Sequence, residues 1–557
     1  MRYPQLFIAA LLLCCCPLLA VGSTHEQHPN VVLILVDDMG FGDPQSYVPE
    51  SKIPTPNIDR LAAQGMSFTD AHSASSVCTP TRYSILTGRY AWRSRLKRGV
   101  LGPYNKPLIE ADRLTLPKML KEKGYDTALV GKWHLGMQWV TKNGEELPER
   151  MDWKSWTFRS SAIDHSRPMT AGPMTAGFDY YFGVDVPNFP PYAFIENAQV
   201  IGIPSGKKPS NMYGEKGPMV PGWKLEEILP TLTAKAVEYI DTRVAENSGK
   251  PFFLHMSTTS PHTPIVPAEE FIGQSGAGPY GDLVHQTDHT VGEIIKALER
   301  NKLLENTIVI FTSDNGSPSR AGDPHVHGRD FHPPGSVITK FGHNPNAPWR
   351  GMKADIYEGG HRVPFVVWWP GKTPENVSSR ELISSVDIMA TLAAIVGYAL
   401  PTNSAEDSYD LSALFRGEMV GIDAEKEPIR EAIVHHSSKG KFAIRQGRWK
   451  MIPQAGSGGW KDAPSGWLSK VSRNLKKLVN GTYNEVEPEG QLYDLVADPA
   501  ETENLWNEHP EVVERLERLL ERYQQEGRSV SMSGPVGLST TRTNQGAPGP
   551  RSTIPEE

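Results

Sequence analysis

After Asn30, Val31-Val32-Leu33-Ile34-Leu35-Val36 is an unbroken apolar, mostly β-branched run that stops abruptly at Asp37-Asp38. A strand with one wet face alternates polar and apolar residues. A run without interruption reads instead as a strand buried on both faces, as in a parallel sheet covered by helices. The same arrangement returns far downstream as Thr307-Ile308-Val309-Ile310-Phe311-Thr312-Ser313, followed by Asp314-Asn315-Gly316. Two buried strands thus present acids at their C-terminal ends. Ligands of open parallel α/β sheets sit beyond those ends, so the two segments are expected to converge on one site.

Working outward, Thr127 to Val130 and Phe252 to Met256 also read as strands. They alternate with helical stretches. One is Asn57 to Gln64, entered through Thr55 as N-cap and Pro56 in the first turn; another is Leu283 to Arg300, with Val291, Ile294, Ile295 and Leu298 at helical spacing. The expected fold class is α/β: a large domain with a mainly parallel central sheet flanked by helices, over residues 28–425. Past residue 425 the texture changes to short strands at Ala432 to Val434, Phe442 to Arg445 and Trp449 to Ile452. An amphipathic helix, Pro510 to Glu526, follows. This predicts a small α+β unit over 426–527, an antiparallel sheet with one packed helix, and an irregular tail over 528–557 rich in Ser, Thr, Gly and Pro.

The composition is that of a globular chain: 557 residues, 57 Lys+Arg against 64 Asp+Glu, net charge −7. With no basic stripe, a nucleic-acid partner is excluded. Arg2, the apolar run Leu6 to Leu19 and the small residues Ala20-Val21-Gly22 read as a signal peptide over 1–22, so export to the periplasm or beyond is expected. The run is too short for a transmembrane anchor. Leu11-Leu12-Leu13-Cys14 fits a lipoprotein signal poorly, because a Leu directly precedes the Cys. Cys14, Cys15 and Cys16 fall inside the signal, and Cys78 is then the one cysteine of the mature chain, without an internal disulfide partner.

Around it the chain reads Cys78-Thr79-Pro80-Thr81-Arg82-Tyr83-Ser84-Ile85-Leu86-Thr87-Gly88-Arg89. Pro80 suits the first turn of a helix and Gly88 its end, so Cys78 is expected at a helix N-terminus with Arg82 near the same face. A thiol so placed is either activated as a nucleophile or available for modification.

The spacing C-x-P-x-R followed by Leu86-Thr87-Gly88-Arg89 resembles the signature of the formylglycine-dependent sulfatases. Further blocks of that family follow in family order: Asp37-Asp38-Met39-Gly40, Thr55-Pro56-Asn57-Ile58-Asp59-Arg60-Leu61, Gly131-Lys132-Trp133-His134-Leu135-Gly136, Gly177-Phe178-Asp179, Pro261-His262-Thr263-Pro264, Ser313-Asp314-Asn315-Gly316, and Lys353 ahead of Tyr357-Glu358-Gly359-Gly360. The resemblance covers almost the whole mature chain and is strongest to the branch that holds arylsulfatase A and N-acetylgalactosamine-6-sulfatase. It implies an alkaline-phosphatase-like fold and conversion of Cys78 to formylglycine by a maturation enzyme. A hydroxyl of the hydrated aldehyde would attack sulfur, and the alcohol would leave.

In that scheme His262, with Lys353, protonates the leaving oxygen, and His134 deprotonates the second hydroxyl so that sulfate is expelled. Lys132 and Lys353 supply counter-charge, and Arg82 holds the modified residue. Asp37, Asp38, Asp314 and Asn315 offer only oxygen ligands, which favours Ca²⁺, with Mg²⁺ the alternative, over zinc. Residue 78 contributes a further oxygen. Lys132, His262 and Lys353 are also expected to bind substrate, and His435 and His436 to face the sulfate pocket from the smaller unit.

Export and ring-bearing loops point to sulfated carbohydrate, polysaccharide or glycosaminoglycan fragments, rather than small aryl sulfates. Those loops are Phe189-Pro190-Pro191-Tyr192, and Gly456 to Trp460 with Trp467. Two other readings remain: a phosphonate or phosphodiester hydrolase of the same superfamily, and a catalytically silent sulfated-glycan-binding protein that never receives the aldehyde.

Overall fold

The computed structural model describes residues 28–147, 160–246, 249–322, 334–419, 428–459 and 488–531. The signal segment 1–22, Trp460, Trp467 and most of the tail 528–557 lie outside the described residues. The run that opens the sequence is β1 (Asn30–Asp37), with all eight residues buried. Its neighbours in the main sheet are β2 (Met66–Phe68), β3 (Asp126–Lys132), β4 (Tyr180–Val184), β5 (Ile195–Glu196), β6 (Gln199–Val200), β7 (Phe252–Pro261), β8 (Thr307–Ser313), β9 (Phe365–Trp368) and β10 (Val377–Ser379). The ten strands stand in the order β10-β2-β9-β8-β1-β7-β3-β4-β5-β6. The five from β8 to β4 are mutually parallel, and β9, β5 and β6 run against their neighbours.

The uninterrupted apolar run follows from this position. Val31, Leu33 and Leu35 face one core and Val32, Ile34 and Val36 the other, so none of these six meets water. The second core is covered by α1 (Pro56–Gln64), α4 (Ile228–Glu246) and α5 (Gly278–Arg300). The first is covered by α2 (Cys78–Thr87) and α3 (Leu116–Glu122).

One local expectation is corrected. Thr55 stands at the N-cap position of α1, but its hydroxyl bonds Asp59 rather than the orphan amides of the first turn. Those amides are taken by Asp288 of α5, which accepts from Asn57 N at 3.0 Å and Ile58 N at 2.8 Å.

Near the C-terminus, β11 (Ile433–His436), β12 (Phe442–Gln446), β13 (Trp449–Ile452) and β14 (Gln491–Asp494) form an antiparallel sheet in that order. β14 is additional to the strands expected from sequence. α6 (Pro510–Gln525) lays Val512, Val513, Leu516, Leu519, Leu520 and Tyr523 on this sheet, and the same apolar cluster takes in Ala74, Tyr90 and Trp92 from around α2. The small sheet is thereby packed against the segments that flank α2.

Candidate active site

Parallel strands aim their C-terminal ends at one edge. β8, β1, β7 and β3 are adjacent, so four ends far apart in sequence arrive side by side. β1 ends in Asp37, β3 in Lys132, β7 leads into His262 and β8 into Asp314-Asn315. α2 enters the same edge with Cys78 as its first residue and Arg82 one turn on, and ends at Gly88 in the left-handed conformation, φ 62°. Lys353 comes from the loop before Glu358; it is brought to Cys78 because Ala354 N donates to Ser76 O at 2.7 Å.

The side chains form one buried ionic lattice. Lys132 Nζ lies 2.7 Å from Asp37 Oδ2, and Lys353 Nζ 2.5 Å from Asp38 Oδ1 and 3.3 Å from Cys78 Sγ. Arg82 spans Asp314 Oδ2 at 2.7 and 3.0 Å, Asp37 Oδ1 at 3.4 Å and Ser257 Oγ at 2.5 Å. Cys78 Sγ is 3.7 Å from Asp37 Oδ1. The carboxylates of Asp37, Asp38 and Asp314 are matched by Lys132, Lys353 and Arg82, so a divalent cation added to this set leaves the edge positive and suited to an anion.

The donor chemistry fits such a cation. Atoms of Asp37, Asp38, Cys78 and His262 lie within 4.8 Å of one another. Asn315 donates its Nδ2 to Asp38 Oδ1 at 2.7 Å, while its Oδ1 is buried with no hydrogen-bond partner among the described residues. A buried carbonyl oxygen without a donor is costly unless something else fills the role. His262 joins this group through Nε2, 3.8 Å from Asp38 Oδ2, which oxygen-ligand reasoning alone did not anticipate.

Burial opposes ionisation of Asp37, yet Lys132, His262, Arg82 and Lys353 together hold its pKa well below the usual carboxylate range. Burial prevails at Asp38, which is raised, and at Asp314, pushed up to about 6 against the pull of Arg82. Burial likewise pushes the Cys78 thiol up to about 12 despite Lys132 and Lys353. Of the two roles open to a thiol at this helix start, the activated thiolate is therefore the disfavoured one.

The two histidines differ in which nitrogen is free. His134 Nε2 donates to Leu101 O at 2.9 Å, and its Nδ1 is buried without a partner among the described residues. His262 Nδ1 donates to Thr263 O at 2.5 Å, leaving Nε2 toward Asp38. Burial, joined by Lys132 at His134 and by Lys353 at His262, lowers both pKa values well below the ordinary imidazole value, so both rings rest neutral.

The structure does not bring His435 and His436 into this lattice. His435 stacks on His361 with ring centroids 3.8 Å apart and donates Nδ1 to Ser73 O at 3.2 Å. His436 Nε2 lies 3.4 Å from Ser75 Oγ. Their strand β11 carries them to the seam with the larger unit, against the segment Ser73 to Ser75 that leads to Cys78. The rings of Phe189 and Tyr192 are also placed otherwise than expected. Phe189 packs in the main core, edge-on to His134, and Tyr192 is buried with its hydroxyl bonded to Asn188 O and Glu215 O. Neither is a platform for a sugar.

Two residues without a sequence signal belong to the site. Ser257 links Arg82 to the Lys132 carbonyl, donating to it at 2.8 Å. Asp185, just beyond β4, accepts the His134 backbone N–H at 3.1 Å; burial pushes its pKa up to about 7, opposed by that bond and by Lys132.

Comparison with known proteins identifies the family. The Sulfatase family model matches residues 29–398. The chain is 35% identical over 538 residues to an N-acetylgalactosamine-6-O-sulfatase of Bacteroides thetaiotaomicron, covering 90% of this chain and 94% of that protein. It is 32% identical over 516 residues to human arylsulfatase A, covering 90% and 89%. A solved structure from work on the metabolism of multiple glycosaminoglycans by Bacteroides thetaiotaomicron superimposes with a TM-score of 0.70 at 33% identity, over 90% of this chain and 100% of that one. The matched span 29–398 contains β1, β3, β7 and β8, and the chain belongs to the sulfatase family, hydrolases of sulfate esters.

Proposed function

We propose that this chain is an exported enzyme that removes sulfate from sulfated polysaccharide or glycosaminoglycan fragments, using a formylglycine made from Cys78 and a Ca²⁺ ion held by Asp37, Asp38, Asp314 and Asn315. The observation that carries the reading is the setting of Cys78. It is buried at the start of α2 between Lys353 Nζ and Asp37, with its thiol pushed up to about 12, a poor nucleophile as it stands. The orphaned Asn315 Oδ1 supports the cation. When present, the aldehyde supplies, through its hydrate, a hydroxyl able to attack sulfur, and the cation supplies charge that polarises a sulfate oxygen.

The chain's own residues do the rest. Lys132 and Lys353 bind the equatorial sulfate oxygens and balance charge that grows in the transition state. Arg82 bridges Asp37 and Asp314 and so keeps the geometry around residue 78. Lys353 Nζ, beside Asp38, holds the proton that the departing alcohol needs, and His262, neutral with its one N–H on Thr263 O, keeps Nε2 beside the same carboxylate to relay it. His134 Nδ1, kept free because the opposite nitrogen bonds Leu101 O, accepts the proton whose removal from residue 78 lets sulfate go.

The relatives named for N-acetylgalactosamine-6-sulfate make 6-sulfated galactose or N-acetylgalactosamine the first substrates to try. The signal-like segment 1–22 supports export, and no described helix is long and apolar enough to cross a membrane.

Mass spectrometry of the peptide holding Cys78 tests the modification: the aldehyde form is about 18 Da lighter than the thiol. Full activity from protein carrying only the thiol overturns the reading, and an absence of both aldehyde and activity supports the silent glycan binder. Comparing kcat/KM on sulfate, phosphodiester and phosphonate esters decides the reaction class. A phosphorus ester turned over faster than every sulfate ester overturns the proposal.

A further inference from the structure

The peptide after Lys132 does something its sequence does not explain. β3 and β4 pair in parallel from Ala128↔Tyr180 to Lys132↔Val184, and Trp133 N still donates to Val184 O at 3.0 Å. At the next residue the ladder ends. His134 takes φ 55°, a left-handed conformation that β-carbon sterics disfavour and that persists only where surroundings enforce it. The acceptor that meets the His134 N–H there is a side chain, Asp185 Oδ1 at 3.1 Å, on the residue that follows Val184. Asp185 is 8% exposed and His134 3%, so the bond is made out of water, where it is directional and hard to replace.

We infer that Asp185 is a positioning residue for His134: its carboxylate takes the place of the missing ladder carbonyl and holds the left-handed turn that keeps the imidazole on Leu101 O with Nδ1 free. The inference rests on the proposed role of His134 as proton acceptor. Two anchors define the ring, one on its backbone through Asp185 and one on its edge through Leu101. Only the first is made by a side chain and can be removed by substitution. Without it the turn relaxes toward the right-handed or extended region, and Nδ1 moves with it. A displacement of about 1 Å at a reacting group is enough to cost roughly a hundredfold in rate.

The experiment uses the full-length, purified protein, normalised to formylglycine content by mass spectrometry. Asp185→Ala is expected to lower kcat on an aryl sulfate by roughly ten- to a hundredfold with KM nearly unchanged. Asp185→Asn, whose amide oxygen still accepts the N–H, is expected to rescue most of it. His134→Ala tests the reading beneath the inference: if it leaves kcat unchanged, His134 is not the acceptor and both fall together. If His134→Ala is damaging, then adding Asp185→Ala to it is expected to change kcat by less than about twofold, because Asp185 acts through a ring already absent.

Full multiplication of the two losses overturns the positioning role while leaving His134 in place, as does an Asp185→Ala enzyme with wild-type kcat. Should Asp185→Ala fail to fold, Asp185→Asn decides alone. Wild-type-like kcat and acid limb of the pH profile support the anchor, and a folded Asn variant with a hundredfold loss refutes it.

Discussion

Replacing Arg82 by methionine takes one guanidinium out of a place where it serves four partners. Its side chain is 3% exposed and that of Asp314 is fully buried, so the pair is out of water. Arg82 meets Asp314 Oδ2 through two nitrogens at 2.7 and 3.0 Å, Asp37 at 3.4 Å, Ser257 Oγ at 2.5 Å and the Lys132 carbonyl at 3.3 Å. Removing one partner of such a pair leaves a buried carboxylate without compensation, a loss of about 3–5 kcal/mol. Arg82→Lys keeps the charge, but a single ammonium cannot span Asp314, Ser257 and the Lys132 carbonyl together. The loss is then that of charge-assisted hydrogen bonds, about 1.5–3 kcal/mol.

The assay is urea unfolding of chelator-treated protein followed by tryptophan fluorescence and far-ultraviolet circular dichroism, whose coincidence checks the two-state treatment. The expected order of midpoints is wild type, then Arg82→Lys, then Arg82→Met. An Arg82→Met unfolding free energy within about 1 kcal/mol of wild type, the value of an exposed pair, refutes the argument. Such a result means the guanidinium is solvated in solution.

Three further outcomes follow from the geometry. Chelation should abolish turnover, with Ca²⁺ restoring it better than Zn²⁺ because the acids and Asn315 present oxygen; full activity in protein shown by elemental analysis to be metal-free contradicts the cation. Gly131→Ala places a methyl 1.7 Å from Ser257 O at φ 123°, between β3 and β7, and should cost about 3 kcal/mol or more and displace Lys132; an unchanged melting temperature and kcat refute that. Burial pushes Asp288 up to about 6, against the bonds from Ile58 and Asn57. A folded pKa above the unfolded value near 3.9 means that folding favours the protonated acid. Its penalty is therefore absent below about pH 4 and complete above about pH 6, near 3 kcal/mol. Asp288→Asn should flatten the stability curve across that window, and an unchanged slope in urea titrations at pH 4 to 7 counts against the assignment.

Much of this molecule is local and hence legible in one dimension. The unbroken Val31 to Val36 run can only be a strand covered on both sides, because exposing either face would leave large apolar side chains in water. Pro80 and Gly88 bound α2 through fixed φ and permitted positive φ, which put Cys78 at its start and Arg82 one turn on without reference to the rest of the chain. The strand ends carrying Asp37 and Asp314 marked the site because parallel sheets bind at their C-terminal edge.

What the tertiary structure decided is everything that depends on which segments meet. The order β8-β1-β7-β3 sets Lys132 against Asp37, and the Ala354 to Ser76 bond sets Lys353 against Cys78, pairings that no spacing encodes. Asp288 in place of Thr55 as the cap of α1, and Asp185 beneath His134, are contacts between residues far apart in the chain, carried by single acids with no pattern around them. His435 and His436 show the converse. Their place just before the strand Phe442 to Arg445 suggested the sulfate pocket, but the docking of β11 on the main unit turns them into the seam, since a side chain's surroundings follow from packing and not from its neighbours in sequence.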